Sequence, residues 1–153
     1  MKKFIKSLNL ISNDKKVIEE LLDEKNKLLK HCIFLNTHSY VETLKDNIFM
    51  KSVLKSNYVF ADGIGIHLAS KIFFDKSYLQ RITGYDFFEN LLNNLNNCNK
   101  DKKLFFIGGE QSNLEILKKK IIDNYKNIKL ENVGILPPPF GNDFKFKDDD
   151  IAN

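Results

Sequence analysis

Short, wholly apolar runs along this chain alternate with longer stretches whose apolar residues recur at helical spacing. Cys32–Leu35, Tyr58–Phe60 and Leu104–Ile107 are runs of the first kind, rich in aromatic and β-branched residues. They read as buried strands of a parallel sheet. Ile128–Leu130 with Val133–Ile135 suggests a fourth strand. Between them, Val17, Leu21, Leu22, Leu28 and Leu29 predict one helix, capped by Ser12 or Asn13. Tyr40, Leu44, Ile48 and Leu54 predict a second, with Ser39 as its cap. Ile64, Leu68 and Ala69 open a third, Phe87 to Leu95 a fourth, and Leu114 to Ile122 a fifth, starting near Ser112. Strands and helices alternate along the chain, which predicts an α/β protein: a Rossmann-like parallel sheet with helices on both faces, three layers in all. No linker or internal repeat divides residues 1–153, so they read as a single domain.

Composition adds bounds. Hydrophobic residues make up 42% of the 153 and aromatics 12%, enough for a packed core. The opening Met1-Lys2-Lys3-Phe4-Ile5-Lys6 begins like a signal peptide, but Asn9, Ser12 and Asn13 interrupt the apolar stretch such a leader needs. A cytoplasmic location follows. Cys32 and Cys98 lie far apart and outside metal-ligand spacing, and read as reduced, structural thiols. A net charge of +4 permits an anionic surface or phosphorylated substrate without demanding one. Lys118–Lys120 would fan around a helix as a solvated surface, and no basic-aromatic face suggests nucleic acid.

The polar residues that could do chemistry fall just past the strands. Asn36, Thr37 and His38 follow the first apolar run, Asp62, Gly63 and Gly65 the second, and Gly108-Gly109 the third. In open α/β sheets the crevice beyond the strands' carboxyl ends binds ligands. Asp62 and its glycines admit two readings: a site carboxylate beside a close backbone approach, or a helix cap with two turn glycines. Gly108-Gly109 likewise reads as a phosphate cradle or as a tight strand-to-helix turn. Arg81, Gly84 and Asp86 sit in the connection after the second strand's helix, where arginine suits a phosphate. The set fits group transfer from a nucleotide diphosphate. It lacks a Walker A sequence and the dinucleotide fingerprint, leaving NAD binding as the weaker reading. His38 and His67 have no partner at ligand spacing, so no metal is expected.

Five blocks in order carry a resemblance: Asn36-Thr37-His38-Ser39-Tyr40, Ala61-Asp62-Gly63-Ile64-Gly65, Arg81-Ile82-Thr83-Gly84-Tyr85-Asp86, Phe106-Ile107-Gly108-Gly109 and Pro137-Pro138-Pro139-Phe140-Gly141. From about Leu8 onward the chain resembles the WecG/TagA/CpsF glycosyltransferases. The resemblance implies an inverting, metal-independent enzyme of bacterial cell-surface polysaccharide synthesis: teichoic acid, common antigen or capsule. The sugar, of N-acetylmannosamine type, would pass from a UDP donor to polyprenyl-diphosphate-linked N-acetylglucosamine. Asp62 would be the general base and Asn36 its companion in orienting substrate. Thr37, His38, Gly63, Gly65, Arg81, Gly84, Asp86, Gly108 and Gly109 would bind substrate, and the protein would work peripherally at the inner membrane face. Phe34 stands where relatives often carry Thr. Family members continue past Asn153, so the chain resembles a member lacking its C-terminal part. A non-catalytic remnant that keeps the fold is the alternative. The sheet edge such a truncation exposes predicts self-association as a homo-oligomer.

Overall fold

A computed structural model describes residues 2–23, 25, 28–74, 80–98 and 101–138. The chain divides into two compact units, Met1–Asn94 and Leu95–Asn153. The architecture is α/β with parallel strands in each unit, as the alternation predicts.

In the first unit, helix α1 (Lys2–Ser7) leads into β1 (Leu10–Ile11), followed by α2 (Asp14–Leu22) and β2 (Cys32–Leu35). Then come α3 (Thr37–Lys45), α4 (Asn47–Lys55), β3 (Tyr58–Ala61), α5 (Ile64–Phe74) and α6 (Gly84–Cys98), in which the division between units falls. The strands form one parallel sheet in the order β1-β3-β2, with Leu10 opposite Val59 and Cys32 opposite Tyr58.

Side chains alternate across this sheet, so one strand serves two cores. Val59 and Ala61 of β3 join Leu35, Leu8, Val53 and Ile66 on one face, under α1, α4 and α5. Tyr58 and Phe60 join Val17, Ile18, Ile82 and Phe87 on the other, under α2 and α6. Hence β3 is buried on both sides and apolar throughout, as a central parallel strand must be. Phe34, Phe60 and Phe87 form an aromatic cluster in the second core, with ring centroids 5.0–5.4 Å apart. Phe34 therefore packs the core.

Several helix boundaries depart from the periodic reading. The helix begun at Asn13 stops at Leu22, leaving Leu29 94% exposed. The helix read from Tyr40 to Leu54 is two. The Asp46 N–H bonds Glu42 O at 2.9 Å, closing α3, while its carboxylate accepts the Ile48 and Phe49 N–H groups, starting α4. Leu44, Ile48 and Leu54 consequently face solvent rather than the core. Residues 2–7, at the start of the leader-like opening, form α1, and Leu10–Ile11 adds a strand that its length hid.

In the second unit, β4 (Leu104–Ile107) and β5 (Val133–Leu136) pair in parallel, Leu104 opposite Val133. They are joined by α7 (Gln111–Asn124) and a short 3-10 turn at Leu130–Asn132, so the fourth strand starts only at Val133. Leu114, Ile121, Ile128 and Val133 are buried there. Gly134 admits the Phe105 ring, since a Cβ would lie 2.4 Å from it. Of the last motif block, Pro139, Phe140 and Gly141 lie outside the described residues.

Candidate active site

Backbone pairing at the carboxyl ends of β2 and β3 assembles the site in the first unit. The Asp62 N–H donates to Leu35 O at 3.0 Å, holding the residue after β3 beside Asn36. The Ile82 N–H donates to Ala61 O at 3.3 Å, and the burial of Ile82 fixes Arg81 and Thr83 on either side of that contact. Asn36, Asp62 and Arg81, far apart in sequence, thus meet at one sheet end.

Asn36 is the N-cap of α3, in place of Ser39. Its Oδ1 accepts the Ser39 N–H at 2.8 Å and the Ser39 hydroxyl at 3.1 Å. That pins the side chain and leaves Nδ2 without a partner among the described residues. Asp62 is not a side-chain cap: its carboxylate, partly exposed, accepts no hydrogen bond from any described residue. A carboxylate at a ligand crevice with no partner among the described residues is available to substrate.

The glycines divide by cause. Gly63, with φ of 84°, holds the left-handed turn between β3 and α5. Gly65 is needed for space, because a Cβ there would lie 2.3 Å from Thr37 Cγ2. This contact brings the starts of α3 and α5 together next to Asp62, with two helix N-termini at one point. Gly84 lies against the Phe34 ring, 3.7 Å from where its Cβ would be, and so serves packing.

Thr83 and Asp86 start α6 with a capping box. The Asp86 carboxylate accepts from the Thr83 N–H at 3.2 Å and its hydroxyl at 2.7 Å, and Thr83 Oγ1 accepts the Asp86 N–H at 3.1 Å. These bonds, first from the hydroxyl and then from the backbone, with Arg81 adding its charge, hold the Asp86 carboxyl below its ordinary range. These bonds order the start of α6, next to Arg81. Thr83 is the residue that sequence reasoning passed over, although a Thr three positions before an Asp is a readable cap signal.

Thr37 and His38 occupy the exposed first turn of α3. His67, on α5, has a buried Nδ1 without a partner among the described residues. No cluster of three or more His, Cys, Asp or Glu arranged to hold a metal exists among those residues. Cys32 and Cys98 are free thiols, and burial raises the Cys32 thiol above its ordinary range.

Gly108 and Gly109 belong to the second unit. Both take positive φ, 117° and 78°, and neither has a neighbour where a Cβ would stand, so conformation rather than space selects glycine. The Gly108 N–H donates to Leu136 O at 3.1 Å. The turn leads directly into α7, whose N-cap Glu110 makes no side-chain cap bond.

The sequence profile of the glycosyl transferase WecG/TagA/CpsF family matches residues 8–153. The chain belongs to that family. A curated relative from Bacillus subtilis (strain 168), an N-acetylglucosaminyldiphosphoundecaprenol N-acetyl-beta-D-mannosaminyltransferase, is 34% identical over 88 residues. The match covers 57% of this chain and 33% of that relative's length. In this WecG/TagA/CpsF member, Asn36 and Asp62 follow neighbouring strand ends of the first unit, and Arg81 precedes the Ile82 N–H that bonds the end of β3. Among the described residues no helix is long and apolar enough to cross a membrane.

Proposed function

We propose that this chain carries the acceptor-activating part of a transferase that moves an N-acetylmannosamine-type sugar from UDP to N-acetylglucosamine on a polyprenyl diphosphate, at the inner face of a bacterial membrane. The observation that carries the reading is Asp62: a carboxylate without a partner among the described residues, at the end of a fully buried strand, beside the anchored amide of Asn36. The family membership and the printed activity of the Bacillus subtilis relative support the substrate classes.

In this mechanism Asp62 accepts the proton of the acceptor hydroxyl as that oxygen attacks the anomeric carbon of the donor. The bond from that carbon to the diphosphate oxygen breaks on the opposite side, inverting the configuration. UDP leaves with the electron pair. Asn36 Nδ2 donates a hydrogen bond that orients substrate, and Arg81, with the helix starts at Thr37 and Ile64, offsets the diphosphate charge. The Gly108-Gly109 turn, with its open backbone ahead of α7, suits a phosphate in the same way. The reaction needs no metal in this reading.

The test is transfer from UDP-N-acetylmannosamine to lipid-diphosphate-linked N-acetylglucosamine by the full protein and by Asp62→Asn. Loss of a general base lowers turnover by about 10²–10⁴-fold with the fold intact. Unchanged transfer would sink the assignment, and tight binding of NAD without a response to UDP would revive the dinucleotide reading.

A further inference from the structure

Within the block from Arg81 to Asp86, Tyr85 takes part in neither the packing nor the capping. It is 72% exposed, and among the described side chains of the first unit it is the only Phe or Tyr so exposed. It belongs to neither core cluster. Its backbone, by contrast, is held on both sides. Ile82 is buried and bonded to Ala61 O, Gly84 lies against the Phe34 ring, and the Thr83–Asp86 bonds bracket Tyr85 itself. An exposed aromatic is ordinary on a loose surface. On a backbone this constrained it is a rigid, preset contact face.

Position says what meets it. Tyr85 is the second residue of α6, and side chains on a helix lean toward its N-terminus. That end of α6 is tied to the last residue of β3 by the bond from Ile82 to Ala61, and Asp62 follows Ala61. The ring therefore stands at the edge of the crevice that holds Asp62 and Asn36. A sugar whose hydroxyl gives its proton to Asp62 brings its own ring to the same place. In N-acetylglucosamine every ring substituent from C2 to C5 is equatorial, so axial C–H groups line both faces and leave them flat and apolar. A sugar of N-acetylmannosamine type has an axial group at C2 that interrupts one face. A phenol ring suits the first of these, the acceptor.

We propose that Tyr85 is an acceptor-binding residue, its ring stacking on the C–H face of the N-acetylglucosamine whose hydroxyl faces Asp62. This rests on the acceptor class of the proposed function. The aromatic face and the carboxylate then grip the acceptor together, one holding the plane of its ring and the other its reacting hydroxyl.

Steady-state kinetics of the full protein test it, with UDP-N-acetylmannosamine and a short-tailed lipid-diphosphate N-acetylglucosamine varied separately. In Tyr85→Ala the acceptor KM should rise by about three- to tenfold, the scale of one aromatic contact. Donor KM and kcat should stay unchanged, the pattern of lost ground-state binding. Tyr85→Phe keeps the ring and should match wild type, while Tyr85→Leu, apolar without a flat face, should resemble Tyr85→Ala. Thermal melts establish that each variant is folded; should Tyr85→Ala unfold, the comparison of Phe with Leu decides. An acceptor KM that ignores Tyr85→Ala, a rise in donor KM in its place, or a Tyr85→Phe no better than Tyr85→Ala overturns the inference. Saturation-transfer NMR with the same acceptor and no donor separates the two ideas. If no protein transfers sugar, yet the acceptor's ring protons are saturated by wild type and Tyr85→Phe but not by Tyr85→Ala, the stacking face stands and the transferase reading falls. If transfer proceeds and Tyr85→Ala changes neither measurement, the transferase reading stands and the stacking face falls.

Discussion

A methyl group on Gly65 would sit 2.3 Å from Thr37 Cγ2, closer than real carbon contacts allow. Both residues are at helix starts beside Asp62, so the clash would part α3 from α5 where the site is formed. Gly65→Ala gains helix propensity of up to about 1 kcal/mol, but overpacking costs about 1–3 kcal/mol. The net expectation is a modest loss of stability in urea denaturation. Thr37→Ser removes the offending methyl, so the double variant should be more stable than wild type. If Thr37→Ser fails to relieve Gly65→Ala, the contact is not what selects glycine.

Asn36 caps α3 through Oδ1 and offers Nδ2 outward, and substitution can separate the two. Asn36→Asp keeps a cap acceptor, so the melting temperature should hold, while transfer falls because the donor is gone and a second carboxylate faces Asp62. Asn36→Ala should lose both, at about 1 kcal/mol of stability. Equal transfer by Asn36→Asp and wild type would remove Asn36 from the mechanism.

The capping box at Thr83 and Asp86 gives a pH signature. The folded-state carboxyl of Asp86 is depressed, so its contribution to stability is present above the ordinary Asp range and is lost as pH falls through the lower, folded value. Wild type should exceed Asp86→Asn in thermal stability near neutrality, and the gap should close as the pH is taken down through and below the ordinary Asp range. A gap that is constant over this range would show that the carboxylate charge does nothing for the cap.

Much of this was readable from the residues alone. Tyr58–Ala61 is apolar throughout because both faces of β3 are covered, and Asp62 follows it as the first polar side chain. What escaped the pattern did so for physical reasons. The spacing of Tyr40, Leu44 and Ile48 runs through the Asp46 break, because a cap is made by one side chain and leaves periodicity untouched. β1 is two residues long and carries no period. Leu44 and Ile48 match a buried stripe in sequence yet lie outside, since apolar residues at helical spacing reveal a face but not what it meets. In the motif from Arg81 to Asp86, Gly84 also lies against Phe34 and Asp86 also caps α6, contacts that spacing alone does not show.

At the other end of β3, the Tyr58 hydroxyl donates to the Glu20 carboxylate, and Lys30 lies 5.9 Å from its ring. The bond to Glu20, then burial, pushes the Tyr58 phenol up to about 12. A raised folded-state value means this contribution is complete below the ordinary tyrosine range and is lost as pH rises from about 10 through about 12. Ultraviolet titration should show one late tyrosine, absent in Tyr58→Phe, and no such component in wild type would refute the pairing.

Arg81 provides the sharpest test of the leaving-group side, because charge and shape can be varied apart. Its guanidinium is exposed, beside a backbone segment held by Ile82 and the Thr83–Asp86 box, so substitutions there should leave the fold untouched. Arg81→Lys keeps the charge but not the planar fork that grips phosphate oxygens in pairs. Arg81→Ala removes both. If Arg81 offsets developing diphosphate charge, turnover should fall in the order wild type, Arg81→Lys, Arg81→Ala, with the alanine variant down by about 10²-fold or more. A larger effect on acceptor KM than on kcat would instead place Arg81 on the acceptor's own diphosphate. Steady-state kinetics with donor and acceptor varied separately distinguish these outcomes, and equal kinetics in all three proteins would exclude Arg81 from both roles.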